Sequence, residues 1–206
     1  MTHTYSTDSR ERQYVPFGIA AAAIGATFLV SQALARHQIT FPWWASPPID
    51  TMAFYGFFYG VFDRFIWKWP LVHRIRITSI PDLSGTWYGE VCPAETNGVS
   101  GGLGVKRDIT VRIKQTWTRL RIRGETALSK SHSLSGNIIT ADECSVSYEY
   151  LNEPTALAPS TMHAHRGTAR LSIVGRGMTL DGEYYSGRDR QSIGTIRLTR
   201  RDATEG

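Results

Sequence analysis

The chain has 206 residues, 41% hydrophobic and 20% charged, with a formal net charge of +5. Residues 80–206 hold 16 of its 23 Lys/Arg and 14 of its 18 Asp/Glu, so this larger part is nearly neutral and DNA or RNA is not an expected partner. The only two cysteines, Cys92 and Cys144, supply neither a disulfide framework nor a zinc motif, and read as thiols in a reducing compartment.

The first predicted element is an apolar helix over residues 15–35, VPFGIAAAAIGATFLVSQALA, which carries no charge. At ~1.5 Å per residue it covers about 30 Å, the thickness of a bilayer core. It is longer than a secretory h-region and is followed by Arg36, so it reads as a retained membrane span. A second span is expected over 48–69, with Trp43 and Trp44 at one end and Trp67 and Trp69 at the other, the aromatic belts of a bilayer. Three charges, Asp63, Arg64 and Lys68, fall in its second half.

On a wheel of about 100° per residue, Asp63 shares a stripe with Gly56 and Gly60, a G-x-x-x-G pair. Arg64 lies on another face, near enough to the end of the span to reach headgroups. Gly18, Ala22, Gly25 and Gln32 form a similar stripe on the first helix. Two readings stand: both stripes are contacts between chains, with Asp63 and Arg64 meeting across neighbours, or they pack one hairpin against itself. Arg10 and Arg12 precede the first span, and Lys68, Arg74 and Arg76 follow the second. The positive-inside bias then places both termini in the cytoplasm. Residues 1–79 are therefore expected to form a two-helix transmembrane hairpin.

From Ile80 the hydrophobic period changes to two. GTWYGEV, RDITVRIKQTW, SVSYEY, GTARLSIVG, MTLDGEYY and SIGTIRL each alternate an apolar with a polar face, and Gly-rich turns separate them. With Leu120–Ile122 and SKSHSLS this gives about eight strands in roughly 120 residues, an all-β, antiparallel, small β-barrel over 80–206. An eight-stranded barrel is just wide enough for one small ligand.

In SKSHSLS the serines 129, 131, 133 and 135 share one strand face, which suits either a polar pocket wall or an edge strand turned to water. EYYSGRDRQS offers Tyr184 with Arg188 and Arg190: arginine forks meet phosphate, and tyrosine rings stack on bases. A polar hairpin tip is the plainer account of the same residues. YEYLNEP offers Tyr148, Tyr150 and Asn152. His163 and His165 share a strand face without a third ligand at metal spacing, so no metal site is expected. No nucleophile elbow, zinc-protease, Walker A or kinase signature occurs, which favours a sensor over an enzyme.

DLSGTWYGEV, ITVRIKQTWTRLRI, SKSHSLSG, SYEYLNEP, HRGTARL and LDGEYYSGRDRQSIGTIRL, behind two spans, resemble a bacterial family. It comprises the two-transmembrane, β-strand-rich effectors associated with CD-NTase enzymes, which act in CBASS phage defence. The resemblance implies a cytoplasmic barrel that binds a cyclic dinucleotide made by a CD-NTase, and no cofactor. It further implies assembly in the inner membrane that disrupts the bilayer and kills the infected cell. On chemistry, Arg188 and Arg190 would meet phosphate, Trp117, Tyr148, Tyr150 and Tyr184 would stack bases, and Gln115, Ser131 and Asn152 would read base edges. Two other readings remain at this stage: a membrane-tethered carrier of lipid or another small molecule, with an apolar lumen, and a docking module with a solid barrel.

Overall fold

The computed structural model describes residues 2–37, 47–94, 105–141, 143–158, 160, 162–175, 177–187 and 192–200, with residues 47–49 described by backbone alone. Trp43 and Trp44 lie outside the described residues. The chain divides into two units, Ser9–Ser79 and a second made of Met1–Asp8 together with Ile80–Gly206. The first eight residues thus belong with the barrel, not with the helices as the 1–79 boundary expected.

In the helical unit, α1 runs Glu11–Arg36 and α2 Pro47–Arg64, followed by a 3-10 turn at Ile66–Lys68 and a short α3 at Pro70–Arg74. Among the described residues, α1 is the one helix long and apolar enough to cross a membrane. The expected second span to residue 69 stops instead at Arg64. Phe65 leaves helical geometry at φ −128°, and Trp69 is extended, as a residue before proline prefers.

The buried face of α1 is Glu11, Val15, Ile19, Ala23 and Thr27, a four-residue repeat. Thr51 of α2 donates to Thr27 across this contact at 3.0 Å. Glu11 is only 2% exposed. Its carboxylate accepts from the Thr78 hydroxyl, from Ser79 N–H at 2.7 Å and from the Ser79 hydroxyl at 3.0 Å, tying the two ends of the unit together. The small-residue stripes are elsewhere. Gly18, Ala22, Gly25, Gln32, Gly56 and Gly60 are exposed, and a Cβ on any of these four glycines would meet nothing within 4 Å. The reading in which these stripes pack one hairpin against itself does not hold within this chain.

The barrel strands are β3 (Gly85–Pro93), β4 (Arg107–Gln115), β5 (Arg119–Glu125), β6 (Ser129–Ile139), β7 (Ser145–Pro154), β8 (His165–Val174), β9 (Thr179–Ser186) and β10 (Ile193–Arg200). Each pairs antiparallel with its sequence neighbour, β10 pairs with β3, and β5 pairs with β6, so eight strands close on themselves. The β5–β6 seam is short, with direct pairing only from Arg123↔His132 to Glu125↔Lys130. Where these strands part, the N-terminus fills the gap: β1 (His3–Thr4) runs antiparallel to β5, and β2 (Ser6–Thr7) parallel to β6.

Side chains anchor this strap. Tyr5 is buried and donates to the Trp117 carbonyl at 2.8 Å. Asp8 accepts from Thr140 N–H at 2.8 Å and Ala141 N–H at 2.9 Å. Ser133 accepts from Ile122 N–H at 3.0 Å, and its hydroxyl hydrogen-bonds with His3 Nε2 at 2.7 Å.

The barrel is solid at the end where the strap enters. Ile80, Leu83, Trp87, Trp117, Leu120 and Ile138 are fully buried there. Burying each such side chain contributes about 1.5–3 kcal/mol. The opposite end, where β3, β5, β7 and β9 finish and β4, β6, β8 and β10 begin, is hollow.

Candidate functional site

The hollow end holds a cavity of about 270 Å³. Inward positions near the ends of β3, β5, β7 and β9 and the starts of β4, β6, β8 and β10 line it, as the period-two pleat requires. Tyr148 and Tyr150 stand side by side on β7, ring centroids 6.2 Å apart and inclined by 54°. Burial first, and then the neighbouring Tyr150, push the Tyr148 phenol well above its ordinary value, so it stays neutral. Tyr184 of β9 completes an aromatic wall.

Glycines make room for these rings. Tyr150 pairs across strands with Gly167, and Tyr184 with Gly194. A Cβ on either glycine would come within 2.5 Å of the facing ring.

Polar lining comes from β6, β7 and β8. Gly124 pairs with Ser131, and Ser131 with Asn152, so the last direct rungs of the barrel seam form part of the cavity lining. His165 donates through Nδ1 to the His163 carbonyl at 3.0 Å, and its Nε2 faces Asn152 Nδ2 at 3.5 Å. Asn152 thereby keeps its oxygen for a ligand. Arg107, exposed at the start of β4, is the one arginine or lysine lining the cavity among the described residues. Val91, Ile109, Met162 and Ile196 supply apolar surface.

Of the residues expected from the sequence, Ser131, Tyr148, Tyr150, Asn152 and Tyr184 come together here. Gln115 and Trp117 do not. Gln115 accepts from Leu83 N–H at 2.8 Å and donates to the Pro81 carbonyl at 3.1 Å, and Trp117 is 1% exposed beneath Tyr5. Both are structural parts of the filled end and are too buried to stack on a base or read its edge. Arg188 and Arg190 lie outside the described residues, and Ser192, which follows them, lines the cavity. Asp63 is half-buried on α2 and Arg64 exposed at its end.

The serine face is shorter than the alternation suggests. A register irregularity between Ser133 and Ser135 turns Ser135 outward. Ser133 serves the strap, and Ser129 and Ser131 line the cavity. Nor is β6 an edge strand, because β7 and β5 flank it.

Sequence reasoning missed Arg107, Thr126, Met162 and His165 as lining. Arg107 carried a usable signal: it is the inward-phase residue two before Ile109 at the start of a strand.

Residues 78–200 match the family model described as the Cap15 cyclic dinucleotide receptor domain, and residues 13–68 match that of the Cap15 TM helices. The chain is similar to the CD-NTase-associated protein 15 of Escherichia albertii, 23% identical over 68% of this chain and 73% of the relative. It is also similar to the CD-NTase-associated protein 15 of Yersinia aleksiciae, 27% identical over 69% of this chain and 65% of the relative, just under two thirds of that protein's length. With both models matched in order along most of its length, the chain belongs to the Cap15 family of CBASS effectors.

Proposed function

We propose that the cavity at the hollow end of the barrel is the receptor site for a cyclic dinucleotide. The observation that supports this most directly is that Tyr148, Tyr150 and Tyr184 line one cavity together with the polar groups of Ser131, Asn152 and His165, inside the stretch matched by the receptor-domain model. Aromatic rings take base faces, the amide and hydroxyls take base edges, and Arg107 at the rim takes a phosphate. At about 270 Å³ the cavity lies near the lower limit for ligand sites, so part of the ligand extends through the mouth.

Binding favours one assembly state over another, because a ligand shifts an equilibrium only through differential affinity. In this reading the exposed stripe of Gly56 and Gly60, with Asp63 and Arg64 at its end, is where neighbouring chains meet in the inner membrane. Assembly there disrupts the bilayer and kills the infected cell, with the chain crossing twice and both termini in the cytoplasm. The protein acts by binding and assembly, not by catalysis.

The test is thermal denaturation of the full chain in lipid nanodiscs against a panel of cyclic dinucleotides. A ligand at about 100 times its Kd stabilises by ~2.7 kcal/mol. One member of the panel should raise the melting temperature, and Tyr150→Ala should remove the rise. No shift across the panel, together with lipid copurifying in the barrel by mass spectrometry, would support the carrier instead.

A further inference from the structure

The outer face of β4 and β5 carries an arrangement that the fold does not require. Arg112 sits directly opposite Arg123, and Lys114 directly opposite Arg121. Like charges facing each other across strands destabilise a sheet. Arg119 continues the row beside Thr4 of the strap.

The one acid of β5, Glu125, is at the hollow end, 3.9 Å from Arg112 and 3.1 Å from Lys130. Asp108 lies at the same end of β4. Lys114, Arg119, Arg121 and Arg123 have no ion-pair partner among the described residues, and Arg121 Nε is shielded without a hydrogen-bond partner there. The near-neutral balance of residues 80–206 thus conceals a segregated charge: five cations on the outer face of two adjacent strands, concentrated toward the filled end.

Two further observations identify the counter-surface. The row ends beside the strap, and the strap leads within three residues of Asp8 to Glu11, where the apolar α1 begins. Tethering to a bilayer gives the barrel a high effective concentration at that surface, so weak attractions per residue suffice. Tyr88, 44% exposed on neighbouring β3 and opposite Thr110, adds a ring of the kind that sits at headgroup level.

We propose that the β4–β5 face, with Arg112, Lys114, Arg119, Arg121 and Arg123, is a docking surface for the anionic headgroups of the membrane that carries the helical unit. Docking is independent of the ligand cavity, whose lining is on the inward side of the same strands.

The experiment labels lysines of the full chain with a water-soluble acylating reagent and reads the sites by mass spectrometry. Nanodiscs contain either phosphatidylcholine alone or phosphatidylcholine with phosphatidylglycerol. Lys114 should react at least about fivefold more slowly with the anionic lipid, the factor equivalent to the ~1 kcal/mol that one surface cation gains. Lys106, which is held by Glu90 at 2.8 Å toward the hollow end, serves as the internal reference and should not change. Arg119→Glu with Arg121→Glu should abolish the protection of Lys114, while a Glu opposite Lys114 leaves the barrel at least as stable. Equal Lys114 reactivity in the two nanodiscs overturns the proposal. So does protection by added duplex DNA in neutral nanodiscs without protection by the anionic lipid, which would make the face a nucleic-acid surface.

Discussion

Tyr150 lies across Gly167 of the neighbouring strand, so close that a Cβ there would fall 2.5 Å from the ring's Cζ and hydroxyl oxygen. The missing side chain gives the ring its place in the cavity wall. Gly167→Ala should drive the ring inward and reduce cyclic dinucleotide affinity by about tenfold or more, the worth of one lost base stack of ~1–3 kcal/mol. The added methyl also meets the Tyr185 carbonyl, so the melting temperature falls as well. Tyr150→Ala in the Gly167→Ala background should restore part of that fall, because the two residues share one contact. Additive losses measured by circular dichroism would mean that the ring and the glycine do not compete for space.

Arg107 is the exposed guanidinium at the cavity mouth. Arg107→Ala should weaken ligand binding by about 10–100-fold, as expected for a lost charge-assisted hydrogen bond of ~1.5–3 kcal/mol. It should also flatten the dependence of binding on salt, since a phosphate contact is screened and a stacking contact is not. Titration calorimetry at two ionic strengths measures both. Because Arg107 is exposed, barrel stability should not change.

The strap is predicted to be a stability element. Tyr5→Ala removes a buried ring and its hydrogen bond to the Trp117 carbonyl, and should cost about 3 kcal/mol of barrel stability. Asp8 adds a pH dependence. Slight burial raises its pKa, but hydrogen bonds from Ala141 and Thr140 outweigh this and hold it below 3.8. A carboxylate whose folded pKa is depressed contributes stability above its unfolded pKa and loses it as pH falls through the folded value. Strap stability should therefore be flat from neutral pH to about pH 5 and fall below about pH 4. Asp8→Asn should lower stability at neutral pH and remove this part of the acid sensitivity. Hydrogen exchange of residues 3–7 and 140–141 across pH reads the effect.

Gly56 and Gly60 face open space on α2. Leucine at both positions should leave the helical unit folded and ligand binding intact. If neighbouring chains approach along this stripe, the same variant should fail to form ligand-dependent crosslinked oligomers and should lose toxicity. Normal oligomers from the double leucine variant would remove the stripe from the assembly.

The strands were readable because alternation over seven to eleven residues is a strong signal. The ends of the barrel were not. Trp117 and Tyr150 both point inward, and only closure shows that one fills the interior while the other lines a void. Ser135 was misplaced because a bulge shifts the phase of β6 by one residue, which alternation alone cannot reveal. The strap gave no signal at all: β1 and β2 are two polar residues each, and they become strands only because β5 and β6 part beside them. The cationic face was hidden for a similar reason. Net charge is a sum, and it does not say which arginines share a strand face.

The central claim is that the hollow end of the barrel receives the cyclic dinucleotide. A photoreactive azido-purine cyclic dinucleotide, crosslinked to the full chain in nanodiscs and mapped by mass spectrometry, tests it directly. Adducts should concentrate on the peptides containing Tyr148–Asn152 and Tyr184, and unlabelled ligand should compete them away. Saturable adducts on the outer strand faces or the helical unit, with none on these peptides, would contradict it.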